Sequence, residues 1–149
     1  MTNVPLDTPQ AGATHAALPA RLEKALPSLQ SDPVALEQFI QAQVAEQGPE
    51  VFYLCGEWLL VHGQVQQALP CLQRAVQALP AHVLAAHNHA EALRQCGRLE
   101  EAALEFQRAI GLQFDFVPAR QALIDVLEKT LLRMRAADQA ALAQEQAKG

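Results

Sequence analysis

A self-similarity at a spacing of 34 residues constrains this chain more than anything else in it: Gly63 returns as Gly97, Ala68 as Ala102 and Ala75 as Ala109. The two alanine positions return once more as Ala136 and Ala143. One helix pair of that length cannot bury its apolar face alone. A fixed period in this range therefore builds a solenoid of stacked helix pairs rather than a single globular core. Composition agrees: 50% of the 149 residues are apolar, mostly Ala, Leu and Val, and only 5% are aromatic, which suits helices packed closely on helices.

The balance of charge excludes some partners. A net charge of -5 argues against nucleic acid, whose phosphates require a basic stripe. No apolar run approaches the roughly 18–20 residues of a membrane span, so no membrane insertion is expected. Residues 1–17 lack a basic and then apolar leader pattern, and their Pro, Thr, Ala and Gly content reads as a disordered tail. Three cysteines, Cys55, Cys71 and Cys96, without a CxxC pair fit neither a disulfide framework nor a zinc site. Reduced thiols and a cytoplasmic location are the expectation, and the Ala- and Gln-rich, lysine-poor composition points weakly to a bacterial source.

Breakers divide the rest of the chain. Residues 18–48 read as N-terminal helices: a first one over 18–30 cut short by Pro27, and a second over about 33–47 with Asp32 as N-cap, Pro33 at its first position and Gly48 ending it. Val34, Leu36, Phe39, Ile40 and Val44 give that second helix a face to be covered. Residues 49–116 hold two repeats. The first predicts helices over about 50–62 and 65–78 around Gly63, with Pro70 imposing a slight kink. The second predicts helices over about 83–96 and 99–112 around Gly97. In residues 117–149 the turn glycine is replaced by Leu131 and no breaker follows. That stretch reads as one long capping helix over about 118–146, or as a degenerate third pair.

Counted from Pro49, Val83 and Val117, the three units resemble the tetratricopeptide repeat (TPR). The family's small residue at the eighth position is Gly56 and Ala90, but Ile124 in the third unit. Its alanine at the twentieth is Ala68, Ala102 and Ala136, and at the twenty-seventh Ala75, Ala109 and Ala143. The large twenty-fourth residue is met by Leu72 and Phe106 but not Ala140. The closing proline is Pro80 but Phe114 in the second unit, and the fourth-position aromatic is Phe52 but then Ala86 and Arg120. The resemblance implies an all-α, right-handed superhelical solenoid of antiparallel helix pairs. Small residues let such helices approach to about 8–9 Å while large ones fill the space beside them.

Catalytic and metal chemistry find no support in the residues. His87 and His89 lie two apart on a helix and point to different faces; His15, His62 and His82 lie apart from them, and no HExxH or i,i+4 pair occurs. The only serines, Ser28 and Ser31, have no evident base, and the seven glycines stand singly rather than in a phosphate loop. The expectation is a non-enzyme without cofactor or metal.

What remains is a binding surface. In the family, first helices line a concave groove with their second, fifth, ninth, twelfth and thirteenth positions. The resemblance implies Glu50, Tyr53, Glu57, Leu60 and Val61 from the first unit, and Leu84, His87, Glu91, Arg94 and Gln95 from the second. The third supplies Gln121, Asp125, Glu128 and Lys129, after Pro118. Glu57, Glu91 and Asp125 share the ninth position, so stacking would set them in an acidic row that reads a basic or amine-bearing segment of a protein or peptide. The alternative is that they solvate the surface, partly neutralised by Arg94 and Lys129. The family's clamp for C-terminal carboxylates wants Lys or Arg where this chain has Tyr53 and Asn where it has Glu57, so that mode is not expected despite Asn88 at a sixth position.

Three roles follow from such a surface: an adaptor, a dedicated chaperone for a bacterial secretion-system subunit, or a recruiting subunit of a glycosylation or envelope-assembly enzyme complex. Leu123, Val126, Leu127, Leu131 and Met134 form an apolar stripe on the last helix. It is expected to pack on the second repeat, or else to form a dimer seam, which leaves monomer and weak homodimer both open.

Overall fold

The computed structural model describes residues 11–149, with side chains from Leu18 onward. Among these residues the secondary structure is seven helices: α1 (Ala11–Leu29), α2 (Pro33–Gln47), α3 (Glu50–Val61), α4 (Val65–Ala78), α5 (Val83–Gln95), α6 (Leu99–Leu112) and α7 (Val117–Lys148). They form two compact units, one holding the helices up to Leu79 and the other running from Pro80 to Gly149.

In the first unit α1 departs from expectation at both ends. It begins at Ala11, so residues 11–17 of the expected disordered tail are helical, while 1–10 lie outside the described residues. Alanine-rich sequence runs unbroken into the apolar positions Leu18, Leu22 and Leu26, which are buried at i, i+4 spacing and anchor the helix. Pro27 does not cut it short. In the last turn a missing N–H forfeits one bond, and Gln30 N donates to Leu26 O at 2.9 Å to close the end. Helix α2 opens on Asp32, whose carboxylate accepts from Val34 N and Ala35 N at 3.1 Å each, with Pro33 where its absent N–H costs nothing. Leu36 and Ile40 carry its buried face, and Val34 stands in solvent.

Helices α3 and α4 form the tight pair of this unit. An ideal Cβ on Gly56 would lie 2.6 Å from Leu72 Cγ, so only glycine permits this approach. Ala68 and Ala75 are fully buried on α4, which runs through Pro70 without interruption. Gly63, at φ +77°, makes the turn between them: Gly63 N donates to Leu60 O and Gln64 N to Leu59 O, the paired bonds of a Schellman motif.

The second unit repeats this device. Gly97, at φ +79°, donates to Arg94 O, and Arg98 N donates to Leu93 O. Ala90 stands where Gly56 stood, Ala102 and Ala109 are buried on α6, and Phe106 fills the space between them. His82 caps α5 by accepting from Ala85 N through Nδ1 at 3.0 Å. The third unit has no such motif. Leu131 occupies the turn position, and α7 continues as one helix of 32 residues. At 1.5 Å per residue α7 is about 48 Å long and the 14-residue α6 about 21 Å, so much of α7 overhangs its support.

The expected stripe therefore does not pack as a whole. Val126 is buried with Ala119, and Leu123 is half-buried, but Leu127, Leu131 and Met134 are exposed. Ala136 and Ala143, which match the family's close-packing positions, are exposed as well, because no second helix faces them.

Candidate functional site

The residues singled out for binding fall in both units, and each unit arranges its own. In the first, Tyr53 is buried rather than displayed. Its hydroxyl hydrogen-bonds Glu57, and burial, with the nearby Glu57 charge, pushes it up to about 12, so it stays a neutral donor. Glu57 borders a cleft of about 280 Å³ between α1 and α3. Leu22, Leu54, Trp58 and Val61 line its apolar wall, and Glu23 adds a second carboxylate. His62 stacks on Trp58, with ring centroids 3.8 Å apart, and its Nδ1 donates to Trp58 O at 2.8 Å. Of the other expected positions here, Glu50 is exposed in the first turn of α3, Leu60 is half-buried and Val61 is largely exposed.

The share of α1 in this cleft escaped sequence reasoning. The signal was the i, i+4 spacing of Leu18, Leu22 and Leu26, which predicts a face laid against another helix and sets Glu23 next to it. Trp58, the chain's single tryptophan, was likewise missed, because it falls at the tenth position of its unit rather than on the expected lining positions.

In the second unit the acidic positions are not free. Arg94 grips Glu91 with two hydrogen bonds, from Nε to Oε2 at 3.0 Å and from Nη2 to Oε1. Gln95 donates to the same carboxylate at 3.1 Å. Arg94 Nη1 also lies 3.5 Å from Asp125 Oδ2, and Lys129 Nζ lies 3.1 Å from that oxygen. Burial alone would raise the Glu91 carboxyl, but the Arg94 and Gln95 hydrogen bonds and the Arg94 charge hold it below the usual carboxylate range. The four groups form a closed network of two carboxylates and two cations, the neutralised arrangement weighed above as the alternative to a reading surface. Only the 3.5 Å contact of Arg94 with Asp125 crosses from α5 to α7, and Asp125 and Lys129 keep about half of their side chains in solvent.

His87, expected to look into the groove, is half-buried between Phe106 and Phe116, at centroid distances of 5.5 and 5.3 Å. Burial lowers its pKa, so it is neutral at pH 7. His89 points the other way and pairs with Glu105 at 3.0 Å, so the two histidines share no ligand. Leu84, Gln95, Gln121 and Glu128 are exposed. Among the described residues no three His, Cys, Asp or Glu side chains are grouped as a metal site, and no helix is long and apolar enough to cross a membrane.

With this geometry in hand, comparison with known proteins supports the helix-pair reading. No protein-family model matches the chain, and no curated protein matches it. Among solved structures, the chain is similar to a mutant O-GlcNAc transferase of Thermobaculum terrenum, with a TM-score of 0.57 and 26% identity over 80% of this chain. It spans only 23% of that transferase. It is also similar to MamA, with a TM-score of 0.53 and 19% identity, covering 87% of this chain and 88% of that one. Both are TPR-containing proteins. The fold is accordingly all-α and of the TPR-type helical solenoid class.

Proposed function

We propose that this chain is a non-catalytic interaction module that holds a peptide or helix of a partner protein through a basic side chain. The observation that carries the reading is the cleft of the first unit. Its wall of Leu22, Leu54 and Val61 suits the aliphatic stem of a lysine or arginine, Trp58 offers an aromatic ring, and Glu23 and Glu57 meet the cationic head. Glu57 is pre-oriented by Tyr53, so little ordering is needed on binding. Glu50, exposed on α3, would add a contact in the same unit, and Leu84, Gln95, Gln121 and Glu128 offer exposed positions on the second unit for its own contacts. Glu91 and Asp125, already paired, contribute orientation rather than attraction.

Because Trp58 is the only tryptophan, its fluorescence reads the cleft directly. Titration with peptides carrying Lys or Arg, against the same peptides with Gln in those places, should shift Trp58 emission only for the basic set. Glu57→Gln keeps an acceptor for Tyr53 while removing the charge, and should weaken binding by roughly ten-fold, the scale of one partly desolvated charge contact. Equal response to basic and neutral peptides would remove the reading.

The likeness to a section of a glycosyltransferase favours a second role, recruitment of such an enzyme to its substrate. Co-purification of a transferase with the wild-type chain, lost on Glu57→Lys, would support it. Recovery of one aggregation-prone client instead would favour the dedicated chaperone.

A further inference from the structure

The overhanging helix α7 exposes a face that its counterparts cover. At the eleventh position of the units, Leu59 on α3 is 0% exposed and Leu93 on α5 is 3%, but Leu127 on α7 is 49%. At the eighth position, Ala90 on α5 is fully buried, and Gly56 on α3 meets Leu72 of α4; Ile124 on α7 is 58% exposed. In the first two units that face is covered by the second helix of the pair. In the third, the helix that would return is spent in extending α7, so the face has no cover.

The uncovered face has a coiled-coil rhythm. Apolar residues recur at alternating steps of three and four through Ile124, Leu127, Leu131 and Met134, all exposed. Continued outward at the same steps, the seam meets Arg120 on one side and Asp138 on the other, both exposed. These are its only charged positions between Val117 and Ala141.

We propose that the occupant of this face is α7 of a second copy of the chain, packed antiparallel about a two-fold axis at the level of Lys129. Inverted about that point, the seam reads itself. Leu127 meets Leu131 of the partner subunit, and Ile124 meets the partner's Met134. Arg120 meets the partner's Asp138, and Val117 meets the partner's Ala141. A shift by one heptad one way sets Asp138 against the partner's Leu127 while bringing Arg120 opposite the partner's Glu145, and a shift the other way sets Arg120 against the partner's Leu131 and leaves Asp138 beyond the start of the partner's α7; each strands one charge, so the pair favours this register. The interface is isologous, each contact occurring twice. Antiparallel packing is also how α3 meets α4 and how α5 meets α6, so the second α7 supplies what the third unit lacks. Lys129 points away from the seam toward Asp125, and the ion network at α5 is left intact. A lone overhanging helix is marginal in water, and pairing covers the apolar residues of this seam.

Sedimentation equilibrium of the full chain tests this. The expected result is a concentration-dependent dimer, twice the 16.2 kDa chain mass. Leu131→Glu, at an exposed position, should give a folded monomer that loses helix only in the overhang of α7, with Trp58 emission from the first unit unchanged. Asp138→Arg alone and Arg120→Asp alone should each weaken the dimer by about ten-fold, and the double exchange should restore it to within about three-fold. A wild-type chain that stays monomeric to high micromolar concentration overturns the proposal, as does a dimer that survives Leu131→Glu. A double exchange that fails to restore the dimer overturns the register. A monomer whose residues 134–148 fold back on Ile124, read by spin-label distances from Lys148 to Ile124, overturns the choice of occupant.

Discussion

Replacing Gly56 with alanine opposes two terms of similar size, and the structure decides which wins. Gly56 lies in the middle of α3, and in an exposed helix Gly→Ala gains about 0.8–1 kcal/mol. Here the new methyl would sit 2.6 Å from Leu72 Cγ, 2.7 Å from Cδ2 and 3.3 Å from Leu72 N. The leucine cannot swing aside: Cγ is a branch point, the side chain is fully buried, and the backbone of α4 stands behind it. The two helices must separate, and overpacking of this kind costs about 1–3 kcal/mol. The net expectation is a loss of about 0–2 kcal/mol in the first unit, the difference of those two ranges. Gly111 near the end of α6 is the control, since a Cβ there meets nothing within 4 Å. Gly111→Ala should stabilise by up to about 1 kcal/mol. Urea unfolding followed by Trp58 emission, two residues from the substitution, reads the first case, and helical ellipticity reads the second. In a Leu72→Ala background the Gly56→Ala penalty should vanish, giving a coupling of about 0.5–3 kcal/mol. If Gly56→Ala raises the urea midpoint as Gly111→Ala does, the close approach of α3 and α4 is not what sets this position.

Other expectations follow from the same contacts. His87 has its pKa lowered by burial against Phe106 and Phe116, so the unfolded chain takes up its proton first. Stability should fall as pH drops below about 6.5, down to the lowered native value, and His87→Leu should flatten that slope in thermal melts taken between pH 7 and 5. Glu105 is held low chiefly by its hydrogen bond to His89, so its contribution is present above the unfolded value of 4.5 and lost as pH falls through the lower native one; Glu105→Gln should remove that acid-side loss. Asp32→Ala removes the acceptor for Val34 N and Ala35 N and should cost about 1 kcal/mol in denaturant unfolding. Burial pushes the Cys55 thiol up to about 12 and Cys71 to about 11, so a thiol reagent at pH 8 should label partly exposed Cys96 first and reach the other two only on unfolding.

The period of 34 residues was enough to read helix pairs, because glycine at Gly63 and Gly97 supplies a conformation that other residues resist, and small residues at Gly56 and Ala90 admit a close neighbour. Asp32, Pro33 and Gly48 gave the bounds of α2 for the same local reason. Such effects are settled within a turn or two of helix, so sequence alone carries them. The site is different. Sequence spacing placed Glu57, Glu91 and Asp125 at one phase but could not say what lies across from each, and their partners come from three sources. Tyr53 holds Glu57 from one turn away, Arg94 joins Glu91 to Asp125 across two helices, and α1 brings Leu22 and Glu23 to the cleft from more than 30 residues earlier in the chain. Likewise Leu131 in place of the turn glycine left one long helix and a degenerate pair both open, while the structure gives one helix that overruns the shorter α6 and leaves Ile124, Leu127 and Met134 in solvent. Local geometry follows from the chain's own neighbours; whether a charge is free or an apolar face covered depends on residues distant in sequence that the packing brings near.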